Sequence, residues 1–184
     1  MTLLIIGVSL FVAIHLLPSI VLLRSAIFDQ LGEGRYKGLY SVVALAGLGL
    51  MIYGKAVADI VHVFSPPEWA PYLARVAMAP ALVLIVAANV PGNIKRFTPH
   101  PMMWAVLIWA VTHLAANGDQ ASIILFAPMA LFAVIHIVSA NMRGATTQQD
   151  RLPALADIKV TGMGLATYAI FAVAHPYLFR MPAF

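Results

Sequence analysis

The sequence has no cysteine among its 184 residues. This absence excludes disulfides, cysteine-ligated iron–sulfur clusters and covalently attached c-type haem. Charge is also scarce, because Asp, Glu, Lys and Arg together make up 10% of the chain, whereas an average soluble domain has about a quarter. With 62% hydrophobic residues and a mean hydropathy of +0.91, the composition indicates a membrane protein.

Carboxylates are missing from the interior of the apolar stretches. They lie in predicted loops or at predicted helix ends: Asp29, Glu33, Asp59, Glu68, Asp119, Asp150 and Asp157. Di-iron centres and carboxylate-based proton transfer need acidic side chains that project into a helical bundle. The sequence therefore disfavours both kinds of site.

Six stretches of the chain contain no charged residue, and each has the length of a transmembrane helix, about 17–25 residues. A membrane admits a helical bundle or a closed barrel, and these stretches lack the strict alternation of barrel strands. We therefore predict an all-α, polytopic transmembrane bundle, with one domain over residues 1–184. Its six helices are expected near residues 2–23, 37–59, 72–91, 101–117, 120–141 and 158–180.

Basic residues are unevenly distributed between the two sides of this predicted bundle. Cytoplasmic loops of membrane proteins are enriched in Lys and Arg, which explains the net charge of +4 without a nucleic-acid partner. We expect a multi-pass protein of a bacterial inner membrane with both termini in the periplasm. The expected cytoplasmic side has Arg24, Arg35, Lys37, Lys95, Arg96, Arg143, Arg151 and Lys159, and the other has Lys55, Arg75 and Arg180.

Imidazole is the polar chemistry that the predicted helices do contain. The histidines inside them are His15, His113, His136 and His175, and those in or beside loops are His62 and His100. A buried imidazole can simply hydrogen-bond a neighbouring helix, which contributes about 0.6 kcal/mol. Neutral imidazole is also a good ligand for haem iron, copper or zinc. Of these, b-type haem suits an apolar bundle best, because the porphyrin buries its own hydrophobic surface.

Two of these histidines have aromatic neighbours at helical spacing. Trp109 precedes His113 by four residues and Asn117 follows it by four, so the three share a helix face. Trp109 could pack on a porphyrin edge and Asn117 could support the ligand; alternatively, they are an interfacial indole and a helix-end cap. His175 lines up with Phe171, in a stripe that is more typical of packing than of a cofactor pocket.

The remaining histidines give weaker signals. His100 stands between two prolines and shortly after the basic pair Lys95-Arg96. This context favours a headgroup-facing turn at a helix start over a contact with a haem propionate. His136 follows Phe132 by one turn, and nothing else distinguishes it.

A longer motif joins these histidines to their neighbours: Lys95-Arg96, His100-Pro101-Met102, Trp109 and His113-Leu114-x-x-Asn117-Gly118-Asp119. This pattern resembles the NnrU family of small bacterial membrane proteins, and the resemblance extends over essentially the whole chain. The family is often associated with nitrite and nitric oxide reduction. It is also similar to the plant 15-cis-ζ-carotene isomerase, a membrane enzyme that contains haem b.

The resemblance implies a non-covalently bound haem b with His15 and His113 as its axial ligands. In the isomerase, a cysteine one turn before the second haem histidine is an alternative ligand, and Ala110 stands at that position here. Haem binding is therefore implied, whereas isomerisation through a cysteine ligand switch is not. His175 is the reserve ligand. The predicted spans place His175 nearer than His113 to the depth of His15 in the membrane.

Three functions are compatible with these observations. The first is a haem b protein with a redox or haem-linked role that supports denitrification enzymes through a redox partner. The second is a haem-dependent isomerase of a hydrophobic polyene. The third is a cofactor-free assembly or transport accessory whose histidines are structural. Haem spectra distinguish the third function from the first two.

Overall fold

A computed structural model describes residues 1–179 of the chain. Within that range it contains helices and no strand, which confirms the predicted all-α fold. The six α-helices are α1 (Thr2–Leu16), α2 (Val21–Ala56), α3 (Ala70–Asn89), α4 (Pro101–Ala116), α5 (Gln120–Met142) and α6 (Ala154–Phe179), with short 3₁₀ turns at Leu17–Ser19 and Asn93–Arg96.

Most of these helices have the dimensions of membrane spans. Five of them, with the turn at Leu17–Ser19 extending α1, are long and apolar enough to cross a bilayer. The shorter α4 is also apolar; its 16 residues give about 24 Å of helix. Large apolar side chains are exposed along the helices, as expected where lipid replaces water. The chain is thus a membrane protein with a lipid bilayer as its surroundings.

The segment between the first two predicted helices differs from expectation. We predicted a loop that carries Arg24, Arg35 and Lys37, but α2 begins at Val21 and includes all of it. The prediction was wrong because charge was taken as a sign of a loop, whereas Lys37 and Glu33 pair on a helix surface at 2.6 Å. Such pairs, four residues apart, support a helix.

A single residue breaks α2 into two arms. Gly32 has φ +72° and ψ 166°, a backbone conformation that side-chain-bearing residues rarely adopt. The axis of the first arm, residues 21–31, therefore points in a different direction from that of the second arm, residues 33–56. The helix therefore breaks at this glycine, although the chain on both sides of it is helical.

The helices lie in a row whose order differs from their order along the chain. Neighbours in the row are α2, α1, α5, α4, α3 and α6, and α2 also touches α5. We call the end of the bundle that contains the 93–96 turn the basic end, and the end that contains Asp119 the opposite end. Arg180, assigned to the second side in the sequence, lies outside the described residues.

Glycines allow α1 and α2 to pack closely. A Cβ atom added to Gly7 would lie 2.5 Å from the backbone nitrogen of Met51, and one added to Gly47 would lie 2.9 Å from that of Phe11. Small residues at such interfaces let helix backbones approach in a membrane, where van der Waals packing drives association. This contact fixes the position of the last turn of α1.

An ion pair ties α2 to α5 at the opposite end. Lys55 Nζ lies 2.8 Å from Asp119 Oδ1 and donates a second hydrogen bond to Ser122 Oγ at 2.8 Å. Asp119 caps α5 by accepting from the Ser122 backbone N–H at 2.9 Å. Burial opposes ionisation of the Asp119 carboxyl, but the hydrogen bonds from Lys55 and Ser122 hold its pKa below the usual value.

Hydrogen bonds also order the connections at the basic end. Asp157, in the first turn of α6, accepts from the backbone N–H of Asn93 and from its side-chain amide, each at 2.7 Å. The oxygen of the Asn93 side-chain amide accepts from the Leu152 N–H at 2.8 Å. The segment between α5 and α6 is also bonded to the 93–96 turn, because the backbone N–H of Gln148 donates to the Lys95 carbonyl oxygen.

Candidate functional site

The structure separates the histidines of the bundle into two groups. His113 and His175 lie near the opposite end, in the last turns of α4 and α6. The rings of His15, His100 and His136 lie toward the basic end. His62, predicted outside the spans, is exposed in the connection between α2 and α3.

His113 lies in an aromatic group with one indole and one phenyl ring. Its ring centroid is 5.8 Å from that of Trp109 and 5.1 Å from that of Phe126, and Trp109 and Phe126 meet edge to face at 5.1 Å. Phe126 comes from the first turns of α5, so two helices build this wall. The interpretation of Trp109 as an aromatic neighbour of His113 agrees with the structure.

The protonation of the His113 ring follows from its hydrogen bond. Nδ1 lies 2.9 Å from the carbonyl oxygen of Trp109. Because a carbonyl oxygen can only accept, Nδ1 carries the proton, and Nε2 of the neutral ring keeps its lone pair. A backbone carbonyl that holds Nδ1 in this way is the usual support of a histidine that ligates a metal through Nε2.

Asn117 supports the end of α4 rather than the imidazole ring. Its side-chain amide donates to the His113 carbonyl oxygen at 2.7 Å, so of the two sequence interpretations the structure shows the helix-end cap. Ala110, at the position of the isomerase cysteine, is completely buried in the hydrophobic core with Phe126 and Met129. A side chain there packs within the bundle.

His175 is the imidazole that the structure brings towards His113. The two rings are close enough to interact electrostatically, although α4 and α6 each pack mainly on α3. His175 is half-buried, whereas Phe171, one turn before it, is exposed. The sequence placed these two residues on one face of the helix, but only His175 is turned partly towards the interior.

His15 has the same hydrogen-bond arrangement as His113. Its Nδ1 lies 2.7 Å from the carbonyl oxygen of Phe11, again four residues earlier, which leaves the Nε2 lone pair free. The ring stacks on Phe11 at 4.0 Å and meets Tyr40 of α2 at 5.5 Å and Phe132 of α5 at 6.0 Å. Three helices thus surround the His15 imidazole.

His100 and His136 complete the group toward the basic end. His100 is only 8% exposed, and its Nε2 lies 2.8 Å from Asn141 Oδ1. The headgroup-facing interpretation was wrong, because the ring is buried and contacts Asn141 of α5. The ring of His136 is 6.5 Å from that of His100 and 6.1 Å from that of Phe132.

Sequence reasoning missed His136 as a site residue. Its Nδ1 is buried and has no hydrogen-bond partner among the described residues, and it also interacts electrostatically with His15. A signal was present, since His136 lies in the same helix as Phe132, one turn after it, and close before the basic residue Arg143.

The two ligands implied by the resemblance are not in contact. The ring of His15 meets Phe132 and that of His113 meets Phe126. These phenylalanines are six positions apart on α5, which corresponds to about 9 Å along the helix axis. Among residues 1–179, no group of three or more His, Cys, Asp or Glu side chains could hold a metal ion, but a haem iron needs only two imidazoles from the protein.

The comparison with protein families covers nearly the whole chain. The family described as NnrU protein matches residues 3–183. No curated protein and no solved structure matches the chain. Because the match extends over all six helices and both histidine groups, this chain belongs to the NnrU family.

Proposed function

We propose that this protein binds haem b non-covalently within the membrane and has a redox or haem-linked role that supports nitrite or nitric oxide reduction. One observation carries the haem proposal. His15 and His113 both donate Nδ1–H to a carbonyl oxygen one turn earlier, at 2.7 and 2.9 Å, and so keep Nε2 free for a metal.

The residues present fit a haem in their chemistry. Imidazole is a common axial ligand of haem iron, and the burial and hydrogen bonding of the ligand tune the redox potential. Aromatic rings around both expected ligands offer an apolar surface to a macrocycle. Bound there, the iron would exchange single electrons between its ferric and ferrous states.

The chain's own residues have separate tasks in this proposal. The Trp109 carbonyl orients the His113 ring, and Phe126 excludes water from its face. The second axial ligand has two candidates: the resemblance implies His15, whose Nε2 is also free, and His175 interacts electrostatically with His113. We propose His113 as one axial ligand and one of these two histidines as the other.

Haem content tests the proposal. The protein is purified after expression with added haem precursor, and bound haem b is quantified per protein. We expect His113→Ala to lose most of the haem and the matched variant His62→Ala to retain it, because His62 is exposed outside the helices. Equal haem content in the two variants, or a wild-type protein without haem, would contradict the proposal.

The orientation in the membrane belongs to the same proposal. Basic residues favour the cytoplasmic side, so the basic end faces the cytoplasm and both termini face the periplasm of a bacterial inner membrane. His113 and His175 then lie nearer the periplasm than His15. Reporter fusions after Arg35 and after Asp119 are expected to report opposite compartments; the same compartment for both would overturn this topology.

A polyene isomerase is the second candidate, and one feature bears on its mechanism. Ala110 replaces the isomerase cysteine and is completely buried, so a cysteine ligand switch is absent. We therefore expect no ζ-carotene isomerisation by that route when the protein is expressed in a carotenoid-producing host. Full activity in that host would show that the chemistry does not need the cysteine and would favour this function.

A further inference from the structure

A cleft at the basic end lies where α1 ends and the two arms of α2 meet. It has a volume of about 380 Å³ and is lined by Pro18, Arg24, Tyr36, Lys37, Tyr40 and Ser41. Two cations and three hydroxyl-bearing side chains therefore face one space. The kink at Gly32 produces the cleft, because it brings Arg24 of the first arm towards Lys37 of the second.

The charge in this cleft is only partly neutralised by the protein. Arg24 has no carboxylate within ion-pair distance in the described part of the chain; its guanidinium lies 6.0 Å from the ring centroid of Phe28. Lys37 pairs with Glu33, but both side chains are more than half exposed, and exposed pairs of this kind contribute little. The cleft thus has a net positive charge.

A buried hydroxyl also lacks its partner there. The Tyr36 hydroxyl is buried and has no hydrogen-bond acceptor or donor among residues 1–179. Its ring is held on both sides, by Phe28 at 5.7 Å and by Tyr40 at 6.5 Å. An unsatisfied buried polar group is unfavourable. Because Tyr36 lines the cleft, an oxyanion there would accept its hydrogen bond once the side chain turns the hydroxyl towards it.

The surroundings of the cleft are apolar. Leu22 beside Arg24 is 85% exposed, and Leu39 and Val42 on the second arm of α2 are also exposed. Tyr40 borders the cleft on one side and contacts the His15 ring on the other. A ligand here therefore has its negative group between Arg24 and Lys37 and its hydrophobic part along α1 and α2.

We infer that the cleft of Arg24, Tyr36 and Lys37 binds the oxyanion of an amphipathic molecule. The same chemistry is available from the phosphate of an anionic phospholipid and from the propionate carboxylates of a porphyrin next to His15. Basic pockets between helices on the cytoplasmic side of membrane proteins commonly take anionic lipid headgroups. The site does not depend on which histidines ligate iron.

The phospholipid arm of the test uses delipidated full-length protein. Native mass spectrometry and thermal unfolding are measured with phosphatidylglycerol and with phosphatidylcholine. We expect phosphatidylglycerol to be retained more strongly by the wild type, and Arg24→Gln to weaken this retention roughly tenfold, which corresponds to about 1.4 kcal/mol. The matched control is Arg35→Gln, because Arg35 is exposed and does not line the cleft.

The porphyrin arm compares haemin with haemin dimethyl ester, which lacks the carboxylate charge. If the propionates occupy the cleft, Arg24→Gln weakens haemin binding roughly tenfold and leaves the ester unaffected. Tyr36→Phe keeps the aromatic contacts, so it should weaken binding of the same ligand without lowering the stability of the ligand-free protein. If Tyr36 has only a structural role, Tyr36→Phe lowers that stability and leaves ligand binding unchanged.

The outcomes separate this inference from the proposed function. If the wild type binds no haemin but retains phosphatidylglycerol through Arg24, the anion site stands and the haem proposal fails. If Arg24→Gln and Arg35→Gln have the same effect, or if no anionic ligand depends on Arg24, the cleft is not an anion site.

Discussion

The histidines at the two ends of the bundle have different surroundings. At the opposite end, His113 of α4 interacts electrostatically with His175 of α6, and both helices pack on α3. Toward the basic end, His15 is enclosed by rings from three helices, and His136 lies beside it. Both ends thus surround an imidazole with aromatic rings, but the rings around His15 come from three helices and those around His113 from two.

This difference indicates where a large flat ligand could enter. Direct packing between α4 and α6 is at most weak, and few residues of α6 are buried. Opening the surroundings of His15 disrupts the close contact of α1 with α2. We therefore expect a porphyrin to enter more easily at the opposite end, where fewer helix contacts have to break.

The largest expected effect comes from removing the second axial ligand of the haem iron. Loss of an axial imidazole leaves five-coordinate or water-ligated iron, which changes the spin state and weakens haem retention. If His113 and His175 form the pair, His175→Ala abolishes the low-spin signal in electron paramagnetic resonance, and His15→Ala preserves it.

The opposite result would make His15 the second axial ligand. Loss of the low-spin signal in His15→Ala alone supports the ligands implied by the resemblance and requires α1 and α4 to move together on haem binding. Loss in both variants places all three imidazoles in haem sites and removes the contrast between the two ends.

A smaller effect is expected from crowding the contact between α1 and α2. A methyl group at Gly47 would press on the backbone of Phe11, whose carbonyl holds His15. Gly47→Ala should lower the free energy of unfolding by about 1–3 kcal/mol, the usual effect of overpacking. The matched control is Gly49→Ala, because a Cβ there meets no atom within 4 Å.

This pair of variants also sharpens the comparison of the two ends. Haem held by His113 and His175 should survive Gly47→Ala at permissive temperature, since neither helix is part of that contact. If Gly47→Ala and Gly49→Ala unfold at the same temperature, the close packing of α1 on α2 does not contribute as described.

The ion pair at the opposite end gives an effect of similar or smaller size. Lys55→Ala leaves the mostly buried Asp119 carboxylate without its cation, because the Asp119 side chain is only 13% exposed. The expected loss is about 1–3 kcal/mol of unfolding free energy. Lys37→Ala is the control, because its pair with Glu33 is exposed and should contribute much less. Equal losses would show that burial of the pair is unimportant.

The pH dependence of the same pair should be the smallest effect. The pKa of Asp119 is lowered in the folded protein by its hydrogen bonds with Lys55 and Ser122, against the opposing influence of burial. Its stabilisation is therefore complete above the unfolded pKa of about 4 and is lost as the pH falls through the lower folded value. Thermal unfolding between pH 6 and 3 should show this loss in the wild type and a weaker one in Asp119→Asn.

The sequence predicted the helices well because membrane spans are long and free of charge. The positions of α3, α4 and α5 agree with prediction within two residues. The start of α2 was missed, because its charged first arm has the composition of a loop. In the membrane-spanning parts, burial against lipid gives no periodic signal, so the row of helices could not be derived from the pattern.

The candidate site was predictable residue by residue but not as an arrangement. His113 with Trp109 followed from helical spacing, which depends on local geometry alone. The proximity of His113 to His175, and of His15 to His136, depends on which helices become neighbours. The position of the His100 ring depends on its contact with Asn141 of α5, which is far away in the sequence.

The central claim is that this NnrU-family protein holds haem b through imidazole nitrogen. The most direct test is the absorption spectrum of the purified wild-type protein, oxidised and then reduced with dithionite. We expect the sharp reduced α-band of a six-coordinate b-type cytochrome with two imidazole ligands. A protein that remains colourless after expression with ample haem would contradict the account and leave the histidines of both groups as structural residues.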